Sequence, residues 1–285
     1  MKKKEFLKAP FNYIGNKYRI ISKIQPLFPK NIDIMVDLFC GGCDVIINTD
    51  ARIKYANDVN FYLVDIMKEF QKKSDRILID IDKAIFTWNL SKTNEESYKN
   101  FRNYYNRTRN PLDLYVLMCY SFNYQFRFNN DYEYNNPFGK NRSSFNSNMR
   151  KNLIEFIRVI KDIRFTSKNF IDFNVDFLTT NDFVYADPPY TLTCGSYNDG
   201  KRGFKGWELN DDYQLLNVLM KLNNRGVKFA LSNVLEHKGN KNNVLIDWIN
   251  ENGYKVYDID CNYNNCNYQS KNKNNVTREV LITNY

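Results

Sequence analysis

A strand that two consecutive prolines must end is the feature that most limits how this chain can fold. The apolar run Phe183–Ala186 is typical of a buried strand, and it is followed directly by Asp187, Pro188, Pro189 and Tyr190. Because proline has no backbone N–H, the chain cannot continue the sheet beyond this run. In open α/β sheets, ligands bind outside the carboxyl ends of the strands. The sequence therefore predicts a catalytic loop that exposes a carboxylate, a fixed carbonyl group and an aromatic ring together.

A loop containing two glycines follows another apolar strand near the N-terminus. The strand is predicted over 34–39, the loop extends from Cys40 to Cys43, and a helix is predicted from Asp44. Strand, glycine turn and helix together bring backbone N–H groups against a cofactor. The dinucleotide pattern Gly-x-Gly-x-x-Gly is not met, so the loop alone does not identify that cofactor.

Asp58 ends the next predicted strand, 54–57. It lies about 20 residues after the glycine loop, where an acidic residue that binds ribose hydroxyls is expected. The alternative is an N-cap for a helix that begins near Phe61. The spacing favours cofactor binding.

Residues 61–147 differ in character from the α/β pattern on either side. Amphipathic helical stretches are followed by alternating aromatic residues around Asn129, which indicate a hairpin, and Arg127, Lys140 and Arg142 add positive charge. Arginine pairs with guanine edges, whereas lysine more often contacts phosphate. We therefore predict an inserted recognition domain over 61–147 and a catalytic domain formed by 1–60 and 148–285. The alternative is a basic surface hairpin whose aromatic rings pack on neighbouring helices.

The α/β pattern resumes after residue 147. Helices are predicted over 149–163, 211–222 and 244–252, and strands over 164–165, 227–231, 254–259 and 279–283. Asp172 is a second candidate cofactor contact, with a solvated loop residue as the alternative. We expect a mobile substrate loop over 197–204, a flexible basic loop over 262–275, Ser232 and Asn233 at a strand end, and His237 in an exposed loop.

Composition favours a polyanionic partner. The formal net charge is +9, and aromatic residues, which stack well on unpaired bases, make up 16% of the chain. The alternative is a lysine- and asparagine-rich protein without such a partner. The six cysteines do not resemble a disulfide framework, and a zinc site formed by Cys40, Cys43, Cys261 and Cys266 is rejected because Cys43 belongs to the glycine loop. Because no apolar run reaches the ~18 residues of a membrane span, we expect a cytoplasmic protein without a membrane partner.

The predicted catalytic loop suits an exocyclic amino group on a planar ring. The sequence contains neither a Ser–His–Asp arrangement nor a phosphate-binding Walker loop, and no metal site is expected. The Asp187 carboxylate and the Pro188 carbonyl can accept the two N–H groups of an aromatic amine and favour a tetrahedral nitrogen. Tyr190 could stack on the ring. With a nucleoside-bearing cofactor on the glycine loop, the natural electrophile is a methyl group on a sulfonium.

The chain resembles the D12 class of DNA adenine N6-methyltransferases, the Dam-type enzymes, and its motifs follow in the same order through nearly the whole chain. The matching segments are Tyr13 to Lys17, Asp37 to Cys43, Asp58, Asn135 to Gly139, Asp172-Phe173, Asp187 to Tyr190 and Ser232-Asn233. The resemblance implies a Rossmann-like α/β fold: a seven-stranded, mostly parallel sheet with helices on both faces, a reversed last strand and an inserted recognition domain.

The resemblance also implies an activity and a set of contacts. The activity is methyl transfer from S-adenosylmethionine to N6 of a flipped adenine in double-stranded DNA, with GATC or a related site favoured. The implied cofactor contacts are Tyr13, Gly15, Lys17, Asp37, Phe39, Gly41, Asp58, Asp172, Phe173 and Asp187. The implied DNA contacts are Arg127, Asn129, Asn136, Pro137, Lys140, Lys271 and Lys273. We expect a monomer, with a cognate restriction endonuclease as one conceivable partner.

Cys43 is a departure from the class, whose loop usually reads Phe-x-Gly-x-Gly. A Cβ at this position either crowds the methionine part of the cofactor or requires a negative φ. Three alternatives to DNA methylation stay open: methylation of RNA adenine, methylation of a protein glutamine, and a DNA-binding homologue that has lost catalysis. The glutamine enzymes typically carry Asn at the position of Asp187.

Overall fold

The computed structural model describes residues 6–13, 15–193, 206–259 and 277–285. The strands are β1 (Ile32–Asp37), β2 (Ala51–Asn57), β3 (Ile163–Thr166), β4 (Phe183–Ala186), β5 (Lys228–His237), β6 (Asn240–Lys241), β7 (Lys255–Asp258) and β8 (Thr277–Thr283). The helices are α1 (Ile21–Ile24), α2 (Phe61–Lys72), α3 (Ile77–Thr87), α4 (Glu95–Thr108), α5 (Pro111–Tyr120), α6 (Ser147–Ile160), α7 (Leu209–Asn224) and α8 (Asn243–Asn252). Several predicted features lie outside the described residues: the loop over 197–204, Lys271, Lys273, Cys261 and Cys266.

The sheet is mostly parallel, as predicted, and has eight strands rather than the expected seven because the short β6 is added. Its strand order is β3-β2-β1-β4-β5-β8-β7, and β6 pairs with the end of β5. The long strands are parallel except β8, which runs antiparallel to both β5 and β7. The expectation of a mostly parallel sheet with a reversed last strand is therefore confirmed. The strand order reverses between β1 and β4, which is where an open α/β sheet forms its ligand crevice.

Both faces of the sheet are covered by helices. On β4, Phe183 and Tyr185 belong to one hydrophobic cluster, and Val184 and Ala186 belong to another on the opposite face. Alternate residues of a strand point to opposite faces, so a fully apolar strand indicates burial on both sides. The sequence 183–186 therefore occupies the centre of the molecule and holds the loop after it in a fixed place.

The segment 61–147 shares a hydrophobic core with the rest of the chain. The Phe11 ring lies within 6.3 Å, centroid to centroid, of the rings of Phe70, Tyr115, Phe126 and Phe156. Helix α5 is apolar on all sides and its residues 112 and 114–120 are buried, as expected for a helix inside a core. The predicted division into two domains stays a prediction, and the two parts pack as one body along this core.

Three local predictions differ from the structure. The helix expected from Asp44 is only a short 3₁₀ helix, Ile46–Asn48. Ser232 and Asn233 lie inside β5 rather than at its end, because β8 pairs with β5 as far as His237. His237 is likewise a strand residue whose Nδ1 lies 2.8 Å from Oγ1 of Thr277. Among the described helices, none is long and apolar enough to cross a membrane.

The predicted hairpin forms with little regular pairing. Two isolated antiparallel bridges join Ser121 to Phe138 and Phe128 to Tyr134. The side chain of Asn129 stabilises the turn between them by accepting hydrogen bonds from the backbone N–H groups of Asp131 and Glu133. The chain reversal is therefore as expected, and both the Asn129 side chain and backbone hydrogen bonds, such as Asn135 N–H to the carbonyl oxygen of Arg127 at 3.0 Å, hold it.

Candidate active site

A cavity of about 290 Å³ opens beyond the carboxyl ends of β1 and β4. The sequence-predicted site residues that line it are Tyr13, Gly15, Lys17, Asp37, Phe39, Gly41, Asp58, Asp187, Pro188, Pro189 and Tyr190. In the sheet register, Asp37 is paired with Tyr185, so β1 and β4 end side by side. The structure thus brings the glycine loop and the proline loop to the two sides of one cavity.

Asp187 is held by two side chains in the cavity wall. The Lys17 ammonium nitrogen lies 2.7 Å from Oδ2 of Asp187, and the Tyr190 hydroxyl donates to Oδ1 at 2.8 Å. Lys17 also donates to the carbonyl oxygen of Gly15 at 3.1 Å. Its ammonium lies 5.0 Å from the centre of the Tyr190 ring, within the range of a cation–π contact. The carboxylate is therefore oriented at both oxygens.

Glu279 of β8 is a second carboxylate at this cluster, and sequence reasoning missed it. Its Oε1 lies 3.1 Å from the Tyr190 hydroxyl and 3.9 Å from the ammonium of Lys17. The available signal was an acidic residue directly before the buried run Val280, Leu281 and Ile282. Because an ionisable group in a central strand is costly without partners, such a position indicates a polar cluster.

Burial sets the protonation of this cluster. Burial raises the pKa of the Asp187 carboxyl above its usual value, and the positive charge and hydrogen bond of Lys17 oppose that rise. Burial, followed by the negative charges of Asp187 and Glu279, raises the pKa of Tyr190 well above its usual range. Tyr190 is therefore a neutral phenol at physiological pH and acts as a hydrogen-bond donor.

Asp58 organises the glycine loop. Its Oδ2 accepts a hydrogen bond from the backbone N–H of Gly41 at 2.9 Å, and its Oδ1 accepts one from the backbone N–H of Asn60 at 2.9 Å. The N-cap of α2 is Asn60, whose side chain accepts from the N–H of Leu63. The alternative interpretation of Asp58 as the cap is therefore wrong, and Asp58 lines the cavity.

Gly41 lies where a side chain would not fit. Its φ is +45°, and a Cβ there would lie 3.0 Å from a ring carbon of Tyr13. The backbone of the loop can thus approach the cavity closely beneath the Tyr13 ring. This is the use of glycine expected at a cofactor loop.

Cys43 has its side chain in the core and does not line the cavity. Its φ is +73°, so the expected negative φ is wrong. The residue is buried, and its Sγ lies 3.4 Å from Sδ of Met67. The loop therefore keeps the left-handed backbone that suits glycine, and the Cβ of Cys43 points away from the space that a cofactor would occupy.

The polar atoms of the cavity favour a positively charged ligand. Oδ1 of Asp37 is buried and has no hydrogen-bond partner among the described residues. Burial, with the negative charges of Asp187 and Asp58, raises the pKa of Asp37 well above its usual range. An amino-acid ammonium would supply both the missing donor and a positive charge, whereas a sulfonium would supply only the charge.

Aromatic rings form another part of the cavity wall. The rings of Phe39, Phe170 and Trp207 all line the cavity, and their centroids lie 5.3 to 5.7 Å apart. Such a wall suits a planar base, and Phe170 and Trp207 were not predicted. The predicted contacts Asp172 and Phe173 do not line the cavity: the Asp172 side chain is exposed, and Phe173 is buried in the core behind it. A 3₁₀ turn, Phe170–Asp172, places Phe170 at the wall and turns Asp172 outward.

The expected DNA contacts divide into exposed and internal residues. Arg127, Pro137 and Lys140 are exposed. Asn136 is buried, and its amide nitrogen donates to the carbonyl oxygens of Phe122 and Gln125, both at 3.0 Å. Its expected contact with DNA is therefore wrong for this conformation, because its amide closes the hairpin from inside. Asn129 serves the turn described above.

Phe122 is an exposed aromatic residue that sequence reasoning did not single out. Its side chain is 44% exposed, and the guanidinium of Arg142 lies 6.0 Å from the ring centre. The next residue, Asn123, accepts a hydrogen bond from the side chain of Asn12, which directly precedes Tyr13 of the cavity wall. An exposed aromatic ring and a cation therefore lie together on a segment that is hydrogen-bonded to the residue before Tyr13.

Comparison with known proteins agrees with this geometry. Residues 13–275 match the model of the D12 class N6 adenine-specific DNA methyltransferases. The chain is 49% identical to modification methylase StsI of Streptococcus sanguinis over 285 residues, and 47% identical to type II methyltransferase M.FokI of Planomicrobium okeanokoites over 287 residues. The alignments cover 99% and 100% of this chain but only 43% and 44% of those proteins, so the chain spans less than half of their length. Identity to the DNA adenine methylase of Escherichia coli K12 is 24% over 237 residues, 81% of each chain.

Proposed function

Because the chain belongs to the D12 class of N6 adenine-specific DNA methyltransferases, we propose that it transfers a methyl group from S-adenosylmethionine to N6 of a flipped-out adenine in duplex DNA. The observation that carries this proposal is the position of the Asp187 carboxylate, which Lys17 and Tyr190 hold beside the cavity. The polar atoms of that cavity favour a positively charged ligand. The target is a short site, and GATC or a related sequence remains our expectation.

S-adenosylmethionine fits the residues of the cavity. The glycine loop and Asp58 would hold the ribose and the backbone of the cofactor, the wall of Phe39, Phe170 and Trp207 would take the adenine ring, and Asp37 would face a positive group. When bound, the cofactor supplies an electrophilic methyl group on a sulfonium. The protein must then present a nucleophilic nitrogen to that group and exclude water from it.

Asp187 and Pro188 make the amino group of adenine a better nucleophile in this proposal. The lone pair of an aromatic amine is delocalised into the ring. Two acceptors, the Asp187 carboxylate and the Pro188 carbonyl, bind the two N–H groups and favour a tetrahedral nitrogen whose lone pair is available. Pro189 has no backbone N–H, so the backbone cannot continue the sheet pairing across this position. Tyr190 contributes its ring as a stacking surface for the flipped base.

The exposed residues of the recognition segment contact the DNA in this proposal. Arg127 reads base edges, while Lys140 and Pro137 contact the backbone of the duplex. A target base can reach Asp187 only if it leaves the stack, which leaves a gap in the duplex. The exposed Phe122 ring is suited to fill that gap, since apolar side chains insert readily between unstacked base pairs.

The relatives suggest the biological setting. StsI is called a modification methylase and M.FokI a type II methyltransferase. We propose by analogy that this chain protects DNA within a restriction-modification system that includes a cognate endonuclease. Double-stranded DNA is the proposed partner, and a monomer remains the expected state of the chain.

The test is a comparison of acceptors. The chain, S-adenosylmethionine with a labelled methyl group, and equal amounts of duplex DNA, RNA and protein are combined, and the methylated DNA is sequenced for modified adenines. We expect label in duplex DNA, as N6-methyladenine at one short site. Label only in RNA or in glutamine side chains would refute the proposal, and so would calorimetry that detects no binding of S-adenosylmethionine.

A further inference from the structure

Glu279 lies where the fold alone would favour an apolar residue. It belongs to β8, between β5 and β7, and its side chain is 2% exposed. The three residues after it, Val280, Leu281 and Ile282, are fully buried apolar side chains. An ionisable side chain in such a strand lowers stability unless polar partners surround it. Its carboxylate lies near Tyr190 and Lys17, which are the side chains that hold Asp187.

Two carboxylates compete for one hydroxyl proton. The Tyr190 hydroxyl lies 2.8 Å from Oδ1 of Asp187 and 3.1 Å from Oε1 of Glu279. A phenol has a single proton to donate, so it can form one full hydrogen bond at a time. The geometry therefore contains two alternative bonds for Tyr190, and only one of them uses the carboxylate that the target amino group needs.

Among the described residues, two carboxylates of this cluster approach one ammonium group. Lys17 is 8% exposed and approaches both Asp187 and Glu279, at 2.7 and 3.9 Å. If only Asp187 held Lys17 and Tyr190, an amino group bound to Asp187 would weaken both contacts and leave a buried ammonium and a buried hydroxyl with poorer partners. A second carboxylate removes that cost, because it can accept from both groups when Asp187 is engaged.

We propose that Glu279 is a positioning residue that holds the Tyr190 hydroxyl and the Lys17 ammonium while Asp187 accepts the amino group of the target base. The Tyr190 proton stays on its oxygen and only its acceptor changes, from Asp187 to Glu279. Glu279 does not touch the base in this scheme and acts through Tyr190 and Lys17. The inference rests on the proposed function, since it needs an amino group that binds Asp187.

The kinetic test replaces the carboxylate by an amide of the same shape. Glu279→Gln should lower the single-turnover rate of methyl transfer at least about tenfold, with the KM for DNA and the calorimetric affinity for S-adenosylmethionine within about twofold of the parent. Asp258→Asn is the matched control, because Asp258 is an exposed carboxylate of the neighbouring strand that pairs with Arg278. The control should leave the rate unchanged. An unchanged rate in Glu279→Gln, or an equal loss in both variants, would overturn the proposal.

A second measurement does not depend on catalysis. The free energies of unfolding of Tyr190→Phe, Glu279→Gln and the double variant form a double-mutant cycle in urea. We expect the effects of the two changes to be non-additive, because the Tyr190 hydroxyl already lies 3.1 Å from Glu279 in the free protein, and Tyr190→Phe removes the donor of that contact while Glu279→Gln removes the charge of its acceptor. Additive effects would overturn the proposal even if the parent methylates DNA. If the parent transfers no methyl group to duplex DNA, the proposed function fails, and the cycle still decides whether Glu279 and Tyr190 are coupled.

Discussion

The ammonium nitrogen of Lys17 lies 2.7 Å from Oδ2 of Asp187. One residue precedes the first strand of the sheet and the other follows β4, so the fold brings together two side chains from distant parts of the sequence. The contact fixes the carboxylate against the cavity that the glycine loop borders. The segment before β1 is therefore part of the candidate active site and of its chemistry.

Asp187→Ala should abolish methyl transfer without abolishing DNA binding. Removing the carboxylate removes one of the two acceptors for the target amino group, and we expect a loss of at least about a hundredfold in rate. Electrophoretic mobility shift with duplex DNA should give an affinity close to that of the parent. A fully active variant would show that Asp187 does not bind the amino group.

Arg127→Ala should relax sequence discrimination. A bidentate arginine contact to a base is worth about 1–3 kcal/mol of discrimination. Lys140→Ala is the matched control, because an exposed lysine nearby is expected to contact phosphate and to lower the salt slope of binding by about 1 without changing site choice. Sequencing of methylated adenines and binding at several salt concentrations separate the two effects. Unchanged site choice in Arg127→Ala would remove this residue from base reading.

The free energy of unfolding of Cys43→Gly should equal that of Cys43→Ala or exceed it by up to about 1 kcal/mol. Elsewhere in a folded segment, glycine usually lowers stability relative to alanine by ~0.5–1 kcal/mol. The order is reversed here because the φ of +73° strains every residue that has a Cβ. Urea unfolding of the two variants measures which is more stable. The comparison is matched because both variants lose the same contact with Met67. A more stable alanine variant would show that the loop carries no such strain.

Asp44→Asn should raise the free energy of unfolding, relative to that of the parent, by more at neutral pH than at acidic pH. Burial raises the pKa of Asp44 to about 6, so its ionisation is less favourable in the folded than in the unfolded state. The resulting loss of stability in the parent develops as the pH rises from about 4 to about 6 and amounts to up to about 3 kcal/mol. The amide variant has no such loss, and it can still accept the backbone N–H of Ala9. Urea unfolding of both proteins at pH 4 and pH 7 measures the difference, and an equal difference at both values would contradict the prediction.

The parts of the fold that the sequence predicted are those with strong local patterns. The apolar run of β4, the prolines after it and the strand before the glycine loop each follow from backbone chemistry, and the family resemblance implied a mostly parallel sheet with a reversed last strand. The ends of the elements were predicted less well. β5 extends through Ser232 and Asn233 because its partner β8 continues, which no local pattern shows.

The candidate site was predicted where sequence neighbours lie together and missed where they do not. Asp187 and Tyr190 are three residues apart, and their hydrogen bond follows from one turn of the chain. Glu279 reaches Tyr190 and Lys17, and Trp207 reaches the cavity, from distant elements, so only the packed fold reveals them. Asp172 lies away from the cavity for a different reason: in the 3₁₀ turn Phe170–Asp172, the side chain of Phe170, two positions earlier, faces the cavity, and a cofactor contact by Asp172 stays a prediction.

The aromatic packing around Phe11 has a consequence for the spacing along DNA. Phe126, next to the exposed Arg127, is packed against Phe11, and Tyr13 two residues further on lies in the wall of the cavity. Packed aromatic residues therefore join the side chain that we propose to read bases to the proposed site of methylation. On these two proposals, the methylated adenine should lie at one fixed number of base pairs from the bases that Arg127 contacts.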